Sequence, residues 1–416
     1  MRVWKYNIVL MLGGVLIALL LCEVVLRMAG FSYLSLYQYD SDLGAALRPE
    51  AEGWAKKEGE AYIKISSAGL RDREHAQAKP PRTLRIAVLG DSYAEALQVP
   101  MENAFWSILE NKLKACPALA GREPEVINFG VSGYGTAQEL IMLRHRVWLY
   151  APDIVLLAFL TGNDVRNNSR ILEQDNRRPY FVLSDGRLVP DMTFRESLGF
   201  RLRLTELGRW MYWLRYSSRI LQVFDEAIRI VTVRNAQVDS ISARSHSVNA
   251  ADQADLVPGV RPWDEYAEAG LDAIVYREPV DPVWKEAWEV TEELILLMRD
   301  EVREKGANFL VVTLSNGPQV HPDPAVREAF ERHLGVSHLF YPDFRIRSLG
   351  ERAGFAVLNL APHFQTYAEE DRVFLHGFEK SGLGKGHWNS EGHRLAGTLM
   401  AQKLCGDLLR KTSSSL

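Results

Sequence analysis

Leu84–Gly90 reads LRIAVLG, a short β-branched run that stops at a glycine, and Asp91-Ser92-Tyr93 then opens helix-like sequence continuing through Lys114. An apolar run that hands over to a helix at a glycine is the repeating half of a βαβ arrangement. The pattern returns at EVINFG (Glu125–Gly130), followed by a helix from about Thr136 to Tyr150, and at DIVLLAFL (Asp153–Leu160). NFLVVTL (Asn308–Leu314) and FAVLNL (Phe355–Leu360) supply a fourth and a fifth run. Strands this apolar, separated by helices, predict an α/β fold whose parallel sheet is covered on both faces.

The third and fourth runs are separated by far more chain than one crossover helix requires. PYFVLSDGRLVP (Pro179–Pro190) reads as a β-hairpin turning at Asp185-Gly186. Arg201–Val233 reads as helical and rich in Trp, Tyr, Leu and Ile, and Ser240–Pro262 as polar loop. VWKEAWEVTEELILLMRDEVREKG (Val283–Gly306) is an amphipathic helix stopped by Gly306. An insertion at about 165–282 is thus expected to form a largely helical cap over the strand ends. Ahead of the sheet, Phe31–Pro81 has no strong period, and YIKISSAGLRDRE (Tyr62–Glu74) reads as a short strand and turn. The expected divisions are an anchor at 1–30, a lead-in segment at 31–80 and the main domain at 81–416.

Arg2 and Lys5 precede an apolar run from Ile8 to Cys22, which continues past Glu23 to Met28. That length reaches the ~20 residues a helix needs to cross ~30 Å of hydrocarbon. No small-x-small cleavage site follows, and Leu19–Leu21 make a poor lipoprotein signal before Cys22. An uncleaved transmembrane signal anchor is therefore favoured over a cleaved signal peptide or a buried core helix. The leading positive residues put the N-terminus in the cytoplasm and the rest outside. In a Gram-negative cell that is the periplasmic side of the inner membrane.

The 416 residues are 47% hydrophobic and carry a net charge of −4, from 49 Lys+Arg against 53 Asp+Glu. Ordinary globular composition excludes disorder and collagen-like repeats. Without a concentrated basic face, nucleic acid is not the expected partner. Cys22, Cys116 and Cys405 form no CxxC pair, which excludes a cysteine zinc site.

In an open α/β sheet, ligands bind beyond the carboxyl ends of the strands. There the sequence places GDSY after the first strand, NFGVSGYGT after the second and TGND (Thr161–Asp164) after the third. GKGHWNSEGHRLAG (Gly384–Gly397) follows the fifth. A serine at a strand-to-helix turn is exposed beside a helix N-terminus that favours developing negative charge. The Ser92 N–H, the Gly133 N–H and the Asn163 amide are candidates for one oxyanion hole, and His387 for the base that takes the serine proton.

With these four blocks on the page, the chain resembles the SGNH/GDSL hydrolase family. The matching residues are Gly90-Asp91-Ser92, Gly133 within VSGYG, Gly162-Asn163-Asp164 and His387, in the family's order and spanning residues 84 to 397. The anchor and the GLRDRE lead-in are similar to anchored bacterial members. The resemblance implies a flavodoxin-like, doubly wound five-stranded parallel sheet, an ester hydrolase acting on acylated carbohydrate or lipid, and no cofactor or metal. One position departs from the pattern. The family carries Asp two or three residues before the histidine, where this chain has Lys385 and Gly384. The open alternatives are a Ser-His dyad, a backbone carbonyl or water on the imidazole, Glu379, or a carboxylate from a distant part of the chain.

Other readings compete at each residue. Ser92 could serve only as a helix N-cap, and Gly130, Gly133 and Gly135 only as turn formers, since neither GxGxxG nor GxxxxGK[ST] is present. Asp91 and Asp164 are expected to brace loops. His387 and His393 lack HExxH geometry, so His393 is read as a packing or hydrogen-bonding residue rather than a zinc ligand. His376 is as readily structural as functional. Trp210, Tyr212, Trp213 and Tyr216 are read as packing the cap onto the sheet, with acyl-chain or sugar binding as the alternative. In the strand order 2-1-3-4-5 the helix after the first strand and the last helix share a face. Cys116 and Cys405 are then either bridged, as suits an exported chain, or two buried thiols.

The sequence is thus read as a membrane-anchored extracytoplasmic serine esterase. A polysaccharide O-acyltransferase shares the same acyl-enzyme, and a non-catalytic carbohydrate-binding envelope component is the alternative from another class. The acyl group and the oligomeric state are not legible.

Overall fold

The computed structural model describes residues 2–31, 33–228 and 272–414. The stretch read as loop, Ser240–Pro262, and the last residues of the helical stretch, 229–233, lie outside the described residues. The central sheet consists of β1 (Thr83–Gly90), β2 (Glu123–Asn128), β3 (Ile154–Leu160), β4 (Asn308–Leu314) and β5 (Ala356–Asn359). All four neighbouring pairs are parallel, and the strand order is β5-β4-β3-β1-β2. This is the flavodoxin-like 2-1-3-4-5 arrangement, in which ligands bind at the switch point beside β1 and β3.

Every residue of β1 and β3 is buried, as a central strand covered on both faces requires. Ile86, Val88, Leu156, Ala158, Leu310 and Val312 share one core with the helices Phe105–Leu113, Leu360–Asp371 and Ser390–Ser414. The helices Thr136–His145 and Pro282–Glu304 pack on the other side. Asp281 caps the latter by accepting from the N–H groups of Val283 and Trp284, with Pro282 at its first turn. Cys116 and Cys405 form a disulfide with Cα atoms 5.7 Å apart, joining the chain after Phe105–Leu113 to the helix Ser390–Ser414. Of the two readings for this pair, the bridge is the one found.

Several elements differ from the sequence reading. The expected helix from Ser92 to Lys114 is broken: Ser92–Glu95 ends at Ala96, whose φ is +54°, a 3-10 turn follows at Met101–Asn103, and α-helix resumes at Phe105. β5 is a short, half-buried edge strand, and Leu360 already belongs to the next helix. The hairpin at 179–190 forms as read, with Tyr180–Ser184 against Arg187–Asp191 and positive φ at both Asp185 and Gly186. The aperiodic lead-in holds two antiparallel hairpins, Tyr37–Asp40 with Gly44–Leu47 and Glu52–Ala55 with Ala61–Lys64.

Two compact units divide the described chain. The larger contains residues 36–200 and 272–414, and so takes in most of the lead-in together with the sheet. The smaller contains the residues up to Ser35, with those from Arg201 to 228. Its N-terminal helix, Arg2–Met28, includes a 23-residue stretch, Tyr6–Met28, long and apolar enough to cross a membrane, with none of that stretch's most apolar window buried.

Candidate active site

β1 ends at Gly90, and no larger residue fits there: a Cβ would lie 2.8 Å from the Cβ of Ala94 and 3.1 Å from the Ala158 carbonyl oxygen. The chain therefore turns straight into the helix Ser92–Glu95. Asp91, not Ser92, is the N-cap, accepting from the Tyr93 N–H at 2.9 Å. The capping role weighed for Ser92 is filled by its neighbour, and the serine hydroxyl is left for other contacts.

That hydroxyl lies 2.8 Å from His387 Nε2. His387 is carried by the strand Gly382–Trp388, which pairs with His376–Phe378. The ring of Tyr93 packs on the imidazole with centroids 4.9 Å apart, and the Tyr93 hydroxyl donates to the Gly386 carbonyl at 3.1 Å.

The second imidazole nitrogen resolves the missing acid. His387 Nδ1 is 2.8 Å from Glu58 Oε2 and 3.1 Å from Oε1, and the His387 backbone N–H donates to the same carboxylate at 3.2 Å. Glu58 sits in the turn between Glu52–Ala55 and Ala61–Lys64, in the lead-in segment. Burial works to raise its pKa, but the His387 hydrogen bonds and charge, with Lys57 nearby, outweigh this and hold it below the usual carboxylate range. Of the alternatives, the distant carboxylate is the one found on Nδ1. An acid at Gly384 would be strained and crowded. Gly384 has φ +83°, and a Cβ there would press within 3.1 to 3.2 Å of the Phe374 and His321 rings.

The second loop docks on the serine helix. Val131 N–H donates to the Gly90 carbonyl, and Ser132 N–H donates to the buried Glu95 carboxylate at 2.5 Å. Tyr37 Oη, from the lead-in, donates to that carboxylate at 3.0 Å. Gly133 follows with φ +78°, in open space where a side chain would meet nothing within 4 Å, so the backbone conformation is what calls for glycine. Asn163 ends the turn after β3, and its Nδ2 donates to Asp91 Oδ2 at 3.4 Å, tying it to the residue before Ser92. Asp164 Oδ2 accepts from Leu160 N–H at 2.7 Å. Asp91 and Asp164 are loop braces, and burial pushes both carboxyls up.

The two other candidate histidines, His376 and His393, are buried and hydrogen-bonded away from Ser92. His376 is buried, with Nδ1 2.8 Å from the Gly386 carbonyl and Nε2 3.0 Å from Ser315 Oγ, and burial pushes its pKa down to about 4. His393 Nδ1 accepts from Phe105 N–H at 3.3 Å, and burial takes its pKa down to about 3. His387 and His393 thus serve different partners, and among the described residues no group of three or more His, Cys, Asp or Glu is placed to hold a metal.

The site combines a half-buried serine at a strand-to-helix turn, an imidazole on its hydroxyl and a carboxylate on the imidazole. The family resemblance found Ser92 and His387, and Asp91 anchors Asn163 beside them. It missed Glu58, Glu95 and Tyr37, because two of these lie in aperiodic sequence and Glu95 follows the serine with no signature of its own.

No family model and no curated protein matches this chain. Among solved structures, an acetyl xylan esterase aligns at 12% identity over 77% of this chain and 98% of its own, with a TM-score of 0.35. An acetylxylan esterase from Geobacillus stearothermophilus, a catalytic mutant, aligns at 10% identity over 80% of this chain and 97% of its own, TM-score 0.36. A protein from Desulfitobacterium hafniense described as lipolytic and of the G-D-S-L family gives 11% identity, 77% and 99% coverage and a TM-score of 0.34. Likenesses of this size carry no argument about activity; the residues of the site do.

Proposed function

We propose that this chain is a serine esterase of the SGNH type, cleaving acyl esters of a carbohydrate or lipid through an acyl-enzyme on Ser92. The observation that carries the reading is the unbroken chain Glu58–His387–Ser92, with 2.8 Å at each link. Ser92 Oγ attacks the ester carbonyl while His387 Nε2 takes its proton. Glu58 holds the proton on Nδ1, fixing the tautomer and stabilising the imidazolium that forms. The oxyanion is received by the Ser92 and Gly133 N–H groups and the Asn163 amide. The imidazolium then returns its proton to the leaving alcohol, and water, deprotonated by His387, releases the acid and restores Ser92.

A carboxylate on the imidazole supports the catalytic reading over a non-catalytic carbohydrate-binding component. The proposal extends to location. The positive Arg2 and Lys5 before an unburied apolar helix support an anchor with the catalytic unit outside. The Cys116–Cys405 disulfide supports an oxidising compartment.

The test is hydrolysis of an ester panel, acetyl against longer acyl groups, by the purified protein and by Ser92→Ala. Turnover that falls at least ~10³-fold in the variant supports the reading. Turnover equal in the two proteins sinks it.

A further inference from the structure

In the smaller unit, the N-terminal helix leaves its apolar run at Glu23, the first charged residue after Ile8–Cys22. A carboxylate at the rim of hydrocarbon is costly unless its oxygens are satisfied. Here they are satisfied by the insertion. Glu23 accepts from the N–H groups of Arg219 and Ile220 at 2.9 and 3.2 Å, from Ser218 Oγ at 3.0 Å and from Arg27 Nε at 2.8 Å. Arg27 also donates to the Ser217 carbonyl at 2.6 Å, and Tyr33 N–H to Gln222 Oε1 at 3.0 Å. Residues 217–222 are thereby pinned to the outer end of the N-terminal helix.

The helix that runs into this pin, Glu206–Ser217, is turned inside out for a water-soluble protein. Its half-buried side is Gly208, Tyr212 and Tyr216, with the Tyr212 hydroxyl 3.4 Å from Ser35 Oγ. Its exposed side carries Leu207, Trp210, Met211, Trp213 and Leu214, of which Leu207 is 66% and Met211 59% exposed. Positions 207, 210, 211 and 214 repeat at the spacing of one helical face. Phe224, 62% exposed, extends the patch beyond the pin.

We propose that this face is a membrane-surface element, seated in the headgroup region of the bilayer beside the anchor. The inference rests on the N-terminal helix spanning the membrane, as in the preceding reading. Three observations favour lipid as the occupant. The patch belongs to the same compact unit as the unburied apolar helix. Hydrogen bonds fix its end to Glu23, in the last turns of the N-terminal helix. Its composition of Trp, Leu and Met is that of an interfacial helix, with Arg209 and Arg215, ion-paired to Glu206 and Asp225, as its basic residues. Such a seat would fix the second membrane attachment of the chain and favour a substrate presented at the membrane surface.

The test uses the full chain in vesicles of phosphatidylethanolamine and phosphatidylglycerol. Met211→Cys, Leu214→Cys, Arg209→Cys and Leu16→Cys are each made with Cys22→Ser and spin-labelled, and relaxation by oxygen is compared with relaxation by a water-soluble nickel complex. The expected result is oxygen-dominated relaxation at 16, 211 and 214 and nickel-dominated relaxation at 209. Nickel-dominated relaxation at 211 and 214, with 16 still oxygen-dominated, overturns the interfacial seat and leaves the anchor standing. Shielding of 211 and 214 from both reagents, with 16 unchanged, shows protein on this face and overturns it equally. Nickel access at 16 removes the anchor, and the seat with it.

Discussion

Glu58 Oε2 stands 2.8 Å from His387 Nδ1, although 329 positions of sequence separate the two residues. The carboxylate on the imidazole is supplied by the turn of a small hairpin that precedes the sheet, and a glycine occupies the position where the motif of the resembled family carries an acid. The lead-in is therefore expected to be part of the catalytic machinery. Glu58→Gln keeps size and fold but no longer holds the Nδ1 proton as a carboxylate does, so kcat should fall about 10²–10⁴-fold. Glu379→Gln should change kcat less than about threefold, a change within what surface substitutions give. Steady-state kinetics on the two folded variants checks this, and equal losses would restore Glu379 as a contributor.

The oxyanion donors give a separate expectation. Asn163→Ala removes one donor and should cost about 10²–10³-fold in kcat with little change in KM. Gly133→Ala meets no steric obstacle but forces a side chain to φ +78°. Its kcat should fall while its melting temperature drops only slightly, the strain being of order 1–2 kcal/mol. Unchanged kcat in both variants would show that the hole lies elsewhere.

The disulfide is expected to bear on stability rather than chemistry. Cys405→Ala frees Cys116 and should destabilise the protein by about 2–4 kcal/mol, read as a lower urea midpoint. Thiol titration of the denatured, unreduced wild type should find Cys22 alone. Three reactive thiols in that sample would contradict the bridge.

Buried His393 supplies a pH expectation. Its folded pKa, about 3, lies below the ordinary 6.5, so the unfolded chain binds the extra proton between those values. The stability it supports is full above 6.5 and lost as pH falls towards 3. The melting temperature of wild type should therefore fall more steeply over that window than that of His393→Gln. Identical slopes would show that the ring is solvated.

How much of this was legible before the structure follows from where each residue sits. Leu84–Gly90 and Asp153–Leu160 announce themselves because a doubly covered strand has no polar face to write into the sequence. Ser92 and Asn163 were legible as candidates because each comes within three residues of a marked strand end, whereas His387, inside the strand Gly382–Trp388, was legible through the family's motif order. Glu58 was not, since a hairpin turn rich in Lys, Glu and Gly reads as solvated surface whether or not one carboxylate folds back onto an imidazole. The break at Ala96 was hidden for a similar reason: an alanine at φ +54° has no compositional mark. The aromatic stretch 210–216 was read as packing, yet Trp210 and Trp213 are 55% and 50% exposed. Amphipathic periodicity identifies the apolar face of a helix without saying whether protein or another phase covers it.

The central claim is that Ser92 is a nucleophile activated by His387 and oriented through Glu58. The most direct measurement is the rate and site of modification by a fluorophosphonate, followed by intact mass and peptide mapping. Wild type should gain one adduct, located on Ser92, at a rate that falls at least ~10²-fold in His387→Ala and markedly in Glu58→Gln. An adduct on another serine, or a Ser92 rate that neither substitution changes, would contradict it.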